Sequence, residues 1–133
     1  RNYSLMHRLN GDEDLVLSYP TYHKTTEVIS PSPSGAATFV DESVNSIDDG
    51  NFAVTDRPPA QWQNFPTIRH GKGGVFAFLD GHAQRVGWKK LSFEGVGGNN
   101  SSGSYHQAST SQTAADLLTL QAMVYTKKVA GAP

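Results

Sequence analysis

Two groups of side chains in this chain have types and spacings that chemistry can use. The first lies in RHGKGGVFAFLDGHAQRVGW, residues 69 to 88, where His70, Asp80 and His82 supply two imidazoles and a carboxylate. Such a trio suits a transition metal if it converges. The surrounding sequence argues against convergence. Asp80-Gly81 reads as a two-residue type I′ hairpin turn, so Asp80 sits in the turn and His82 opens the returning strand. His70 then reads as a residue that pins the loop before the first strand, bonding the hairpin turn or the Asp80 carboxylate. The second group is DESVNSIDDGN, residues 41 to 51, in which Asp41, Glu42, Asp48, Asp49 and Asn51 bring hard oxygen donors together. Calcium takes roughly six to eight such donors and tolerates irregular geometry. The spacing is not that of an EF-hand loop, because Gly50 is not followed by the required glutamate. Solvated turn acids explain the same residues. Calcium is the cofactor this run points to, if it holds one.

Other chemistries find no support. The chain has no cysteine and no Gly-x-Ser-x-Gly elbow, so no nucleophile is assigned and no catalytic set is named. Gly71, Gly73 and Gly74 resemble a phosphate cradle only on the surface, since Lys72 is not followed by Ser or Thr and the segment leads into a strand. Lys plus Arg is 11 and Asp plus Glu is 12 in 133 residues, with a formal net charge of −1. No basic stripe with interleaved aromatics stands out, and a nucleic-acid partner is not expected. Asn2, Asn99 and Asn100 begin glycosylation sequons.

The elements that must position these residues read as mainly β. Segments 75–79 and 82–88 flank Asp80-Gly81 as a hairpin. Val75, Ala77 and Leu79 fall on one face and Phe76 with Phe78 on the other, so the strand is expected to be covered on both sides. ATFVDE reads as a short strand, and Asp49-Gly50 as a turn ahead of residues 51–54. Residues 1–24 supply packing anchors around Tyr3, Tyr19 and Tyr22, and SPSPSG forms a loop. In DRPPAQWQNFP, Trp62 and Phe65 are expected to fold back onto the core. Residues 95–113 read as a Gly/Ser/Asn-rich loop or arm. An amphipathic helix follows, with Thr113 as N-cap, Asp116 close to a capping box, Leu117, Leu120 and Val124 on one face, and Lys127 with Lys128 at its end. The expected organisation is a β-rich head at 1–94, the arm at 95–113, and a helix with tail at 114–133, all in one α+β, mainly antiparallel domain.

The order of these pieces resembles the prepilin-type, processing-associated H-x9-DG family of bacterial pilin-like and pseudopilin-like proteins. His70, nine residues, Asp80 and Gly81 match the naming motif. Val40-Asp41-Glu42 with Asp48-Asp49-Gly50-Asn51-Phe52 is similar to the family's central acidic block, and DLLTLQ to an element near its C-terminus. The resemblance implies a pilin-like head domain, whose leader and apolar assembly helix would precede Arg1, on the bacterial cell surface or outside it. It implies a structural role, with copies of itself and related minor pilins as partners, and a membrane contact only through that helix. His70, Asp80 and Gly81 would then be structural motif positions, while Trp62, Phe65 and Trp88 are expected to build the core or the subunit contacts. An extracellular calcium-dependent glycan-binding module is the alternative, and a metal-dependent enzyme using His70, Asp80 and His82 a third.

Overall fold

A computed structural model describes residues 2–9, 21–47, 49–54, 61–92, 107–108 and 113–124. Its centre is a five-stranded sheet of order β3-β1-β2-β5-β6, made from β1 (Tyr3–Met6), β2 (Ala37–Asp41), β3 (Asn51–Phe52), β5 (Gly73–Phe78) and β6 (Ala83–Gly87). The pairs are antiparallel except β1 with β3. A two-stranded pair joins β4 (Gln61–Trp62) to β7 (Gln107–Ala108), and one helix, α1, spans Ala114–Gln121. The fold is thus a small α+β arrangement with a mostly antiparallel sheet, as expected.

The longer strands have local causes, while three strands, β1, β4 and β7, were not anticipated. Thr38, Phe39 and Val40 make β2, and Val75, Phe76 and Phe78 make β5, as strand-forming side chains should. The segment YSLM was expected only to anchor packing, yet it forms β1 between β2 and β3. Its alternation is genuine, but a serine occupies the buried face: Ser4 and Met6 are buried while Tyr3 is exposed. Gln107 and Ala108, expected within a loop, pair with β4 instead. The remainder of the 95–113 arm lies outside the described residues apart from Thr113, as do Lys127 and Lys128.

The hairpin stands where Asp80-Gly81 puts it, but with a different turn. Phe78 N donates to His82 O, and Gly81 N donates to Phe78 O at 3.0 Å. The loop is therefore three residues long, Leu79 to Gly81. Leu79 and Asp80 keep negative φ and only Gly81 is left-handed, with φ +93°. This is a type I turn followed by a left-handed glycine rather than type I′, which would need positive φ at Asp80 as well. The strand is not covered equally on both sides. Phe76 and Phe78 are buried, whereas Val75, Ala77 and Leu79 are only half-buried.

The core gathers the inner sheet face with the chain that follows it. Met6, Val40, Phe52 and Phe76 meet Trp62, Phe65, Trp88, Leu91, Leu117 and Leu120, all buried. Trp62 stacks on Phe65 at 5.2 Å, and Trp88 meets Phe76 edge-on at 6.0 Å. The indole N–H of Trp62 donates to Thr113 Oγ1 at 3.1 Å, and that of Trp88 to Thr67 O at 2.9 Å. Both polar tips are thereby satisfied inside the fold.

The helix buries Leu117 and Leu120 on the expected face but departs from the expectation at both ends. Thr113 makes no side-chain cap, because its hydroxyl accepts from Trp62. Asp116 does not reach back to close a capping box. Its carboxylate accepts the backbone N–H groups of Lys89, Lys90 and Leu91 at 2.8, 2.7 and 2.7 Å, and so ties the chain leaving β6 to α1. The helix stops at Gln121. Met123 O accepts Ala37 N at 3.0 Å, which draws the following chain to the start of β2.

Candidate functional site

Asp41 closes β2, and the register that pairs Val40 with Phe76 brings that end beside the start of β5. The 69–72 turn leading into β5 therefore arrives on the Asp41 carboxylate, which is nearly buried. Arg69 Nη2 donates to Asp41 Oδ1 at 2.9 Å, and His70 Nε2 lies 2.6 Å from Asp41 Oδ2. Thr67 N donates to Asp41 O, fixing the chain just before the turn. Both basic side chains remain half exposed.

Arg85, on β6, holds the other side of the same turn. Its Nε donates to the His70 carbonyl at 2.5 Å, and its Nη2 to the Gly71 carbonyl. Gly71 and Lys72 are both left-handed, with φ +58° and +60°. Glycine reaches that region freely, while lysine enters it only where the surroundings hold it. A Cβ at Gly73 would stand 2.5 Å from Val86 O and 3.0 Å from Arg85 Nε. The glycines of RHGKGG thus supply a left-handed bend at Gly71 and room for a guanidinium at Gly73. They do not form a phosphate cradle opening a helix.

A half-exposed imidazole oriented by a buried carboxylate can hold or exchange a proton. Nucleophilic catalysis needs a hydroxyl or thiol within reach of that ring. Among the described residues, no hydrogen bond to the His70 ring comes from a serine or threonine, and the chain has no thiol. The arrangement serves as a clasp: one buried carboxylate anchors Arg69 and His70, while Arg85 fastens the carbonyls between them.

Asp80 and His82 stand at the far end of β5, a strand of six residues and so roughly 20 Å long. There Asp80 Oδ1 lies 2.5 Å from His82 Nδ1 and accepts His82 N at 3.2 Å. The His82 ring stacks on Phe78 at 4.5 Å. The side-chain bond to His82 is the main reason the Asp80 carboxyl is held below the ordinary carboxylate range. His70 therefore binds neither the hairpin turn nor Asp80, and the three candidate metal ligands do not converge. Their intervening strand separates them.

Among the described residues, the acidic run does not assemble a calcium site either. Asp41 serves the clasp. Glu42 follows it and turns to the opposite side, as successive residues of an extended chain do. It is fully buried, and its Oε1 accepts Ser46 Oγ at 2.7 Å and Asn64 Nδ2 at 2.8 Å. Asp49 accepts the N–H of Asn51 at 2.8 Å, a local turn bond. Asp48 lies outside the described residues. Among those described, no group of three or more His, Asp or Glu side chains is placed to hold a metal.

Trp62, Phe65 and Trp88 are 2%, 1% and 7% exposed, so they lie in the core, the first of the two places expected for them. The exposed apolar residues lie elsewhere. On the outer sheet face Leu5 pairs with Phe39, Phe39 with Ala77, and Ala77 with Ala83, one row across four strands. Phe39 is 48% exposed and Tyr3, on the same face, 61%. Sequence reasoning missed this row because β1 was not read as a strand. The alternation in YSLM was the available signal.

A small pocket beside β3 is lined by Met6, His7, Phe52, Val54 and Val124, with Arg8 at its wall. His7 is buried, and its Nε2 has no hydrogen-bond partner among the described residues. No carboxylate among the described residues lines the pocket. No helix among the described residues is long and apolar enough to cross a membrane. No family model, curated protein or solved structure matches the chain.

Proposed function

We propose that this chain is a structural subunit, the globular head of a pilin-like or pseudopilin-like extracellular filament, that associates with copies of itself. The observation that carries the reading is the outer sheet face, where Phe39 stands exposed in a row with Leu5 and Ala77, and Tyr3 stands exposed on the same face beside that row. Contiguous exposed apolar residues on a rigid sheet mark an association surface more often than isolated ones do. The ordered resemblance of the motifs supplies the filament class. The chemistry of the clasp agrees with it, since Asp41, Arg69, His70 and Arg85 spend their hydrogen bonds on fixing a turn.

The test is electron microscopy of native extracellular material containing the chain, with wild type beside a Tyr3→Thr/Phe39→Thr variant. Threonine keeps strand propensity while removing the rings. The expected result is filaments in the wild type and their loss in the variant, with the thermal transition of the domain nearly unchanged. Wild-type material that contains only dispersed monomers overturns the reading. So does a variant that assembles like the wild type.

A further inference from the structure

The charge of this chain is arranged very differently from its total. Five of its cations, Arg69, Lys72, Arg85, Lys89 and Lys90, fall between residues 69 and 90, where Asp80 is the one acid. The fold gathers all five at one end of the β5–β6 hairpin. Gly73 pairs with Gly87 at that end, and Lys72 O accepts Trp88 N at 2.8 Å, setting Lys72 beside Lys89 and Lys90. Arg85 reaches back along the strand to the 70–71 carbonyls, and Arg69 sits on the same turn. All five residues are exposed. Asp80 is at the opposite end of the strand. Among the described residues, the carboxylates that face this end are Asp41, under Arg69 and His70, and Asp116, under the Lys89–Leu91 backbone, and both are buried. Lys72, Arg85, Lys89 and Lys90 form no ion pair among the described residues.

We infer that this cationic end of the hairpin is a docking surface for an anionic polysaccharide, a chain bearing repeated sulfate, phosphate or carboxylate groups. Several features select that partner. The flexible lysines do not converge on a pocket, as the site of a single small anion would require. They spread positive potential over one end of the domain, and that attracts a repeating polyanion. The neighbouring apolar groups, Trp88 and Leu91, are 7% and 1% exposed. Among the described residues, the exposed Tyr3 lies at the border, across from Asp41, and the cations themselves surround neither the apolar centre on which protein partners depend nor the wedge that inserts into a membrane. It also lies at the base of the hairpin, against the body, so no element projects into a nucleic-acid groove. Among the described residues, the exposed rings near it are the His70 imidazole and Tyr3, which pairs across β1–β2 with Asp41, too few for stacking successive bases. The backbone beneath is fixed by the clasp and by Asp116, so a bound polymer meets charges already in place.

The experiment measures binding of the protein to immobilised dextran sulfate, with unsulfated dextran as the neutral control, over a salt series. A Lys72→Gln/Lys89→Gln/Lys90→Gln variant removes three charges whose side chains make no hydrogen bond among the described residues. A Lys24→Gln variant removes an exposed cation placed elsewhere. Wild type and Lys24→Gln are expected to bind dextran sulfate with affinity that falls steeply as salt rises. The triple variant should bind at least about tenfold more weakly. Circular dichroism melts confirm that all three proteins fold alike. Equal affinity for dextran and dextran sulfate overturns the proposal, as does a triple variant that binds like wild type. Tighter binding to duplex DNA or to phosphatidylserine vesicles at the same salt also overturns it, by assigning the patch to another class of polyanion.

Discussion

Replacing Asp116 by alanine removes the acceptor of three backbone N–H groups at once. Lys89 N bonds Oδ1, while Lys90 N and Leu91 N both bond Oδ2, at 2.7 to 2.8 Å. The Leu91 bond is buried and Leu91 itself is 1% exposed, so its N–H cannot easily find water. An orphaned buried donor costs about 1–3 kcal/mol, and each of the two partly exposed bonds is worth about 1 kcal/mol once water replaces the carboxylate. The alanine variant should therefore lose roughly 3–5 kcal/mol. That is a large share of a domain whose total stability is on the order of 10 kcal/mol, and it lowers the melting temperature by roughly 10–20 °C. Asp116→Asn keeps one carbonyl oxygen for the Oδ2 pair and should lose about half as much. Urea denaturation gives the energies, and amide exchange at Leu91 gives the local effect, with protection expected to fall in both variants. If alanine costs less than about 1 kcal/mol, or if Leu91 exchange does not accelerate, the carboxylate is not what fastens this loop to α1.

Three further outcomes follow from single contacts. Gly73→Ala puts a Cβ 2.5 Å from Val86 O and 3.0 Å from Arg85 Nε, so it should cost about 1–3 kcal/mol by overpacking, whereas Gly74→Ala, with contacts no closer than 3.3 Å, should cost less in the same melts. Thr113→Val leaves the buried Trp62 N–H without its acceptor and should cost about 1–2 kcal/mol, and its effect should shrink in a Trp62→Phe background. Burial first, and Glu27 second, raise the Tyr22 phenol above its ordinary range, against the opposing pull of Arg8. Because the fold favours the neutral phenol, that part of its stability is present below the unfolded pKa near about pH 10 and is lost as pH rises through the folded value. Alkaline absorbance titration should show one tyrosine ionising late, and denaturation at rising pH should show the loss, both absent in Tyr22→Phe.

The sequence carried local structure more faithfully than it carried partnerships. Asp80-Gly81 located the hairpin because a left-handed glycine is needed wherever the chain reverses so sharply, and Gly81 has that conformation. The turn type was not legible, since the same dipeptide serves a two-residue loop and the end of a three-residue one. Leu117 and Leu120 predicted the buried helix face, but the helix end at Gln121 depends on the bond from Ala37 N to Met123 O, across 86 residues. The clasp was hidden for the same reason. Asp41 lies 28 and 29 residues from Arg69 and His70 and meets them only through the β2–β5 register. Read along the chain, Asp41 joined the nearby acids and His70 joined Asp80, and both assignments followed spacing in sequence where the register decided the contact. The buried serine in β1 obscured a strand that any apolar residue at position 4 would have announced.

Burial also decides which charges a partner can meet, and that explains why the cationic surface was invisible to composition. The formal net charge of −1 weighs every ionisable residue equally. The fold does not. Glu27, Asp41, Glu42 and Asp116 are all less than 9% exposed, while Arg8 is the one buried cation among the described residues. Those acids act inward. Asp41 anchors a basic turn, Glu42 binds Ser46 and Asn64, Glu27 accepts the N–H groups of His23 and Lys24, and Asp116 accepts three others. A carboxylate is well suited to such work because charge-assisted bonds from backbone N–H groups are strong and tolerate burial. Lysine, with a long stem and a strongly hydrated head, is left at the surface. Among the described residues, using acids as internal fasteners therefore shifts the exposed charge toward the cations. At the Gly73/Gly87 end the two effects coincide, since Asp41 and Asp116 hold in place the backbone that presents Arg69, Lys72, Lys89 and Lys90. The buried carboxylates that fasten this end of the fold thus set the charge that its described residues present.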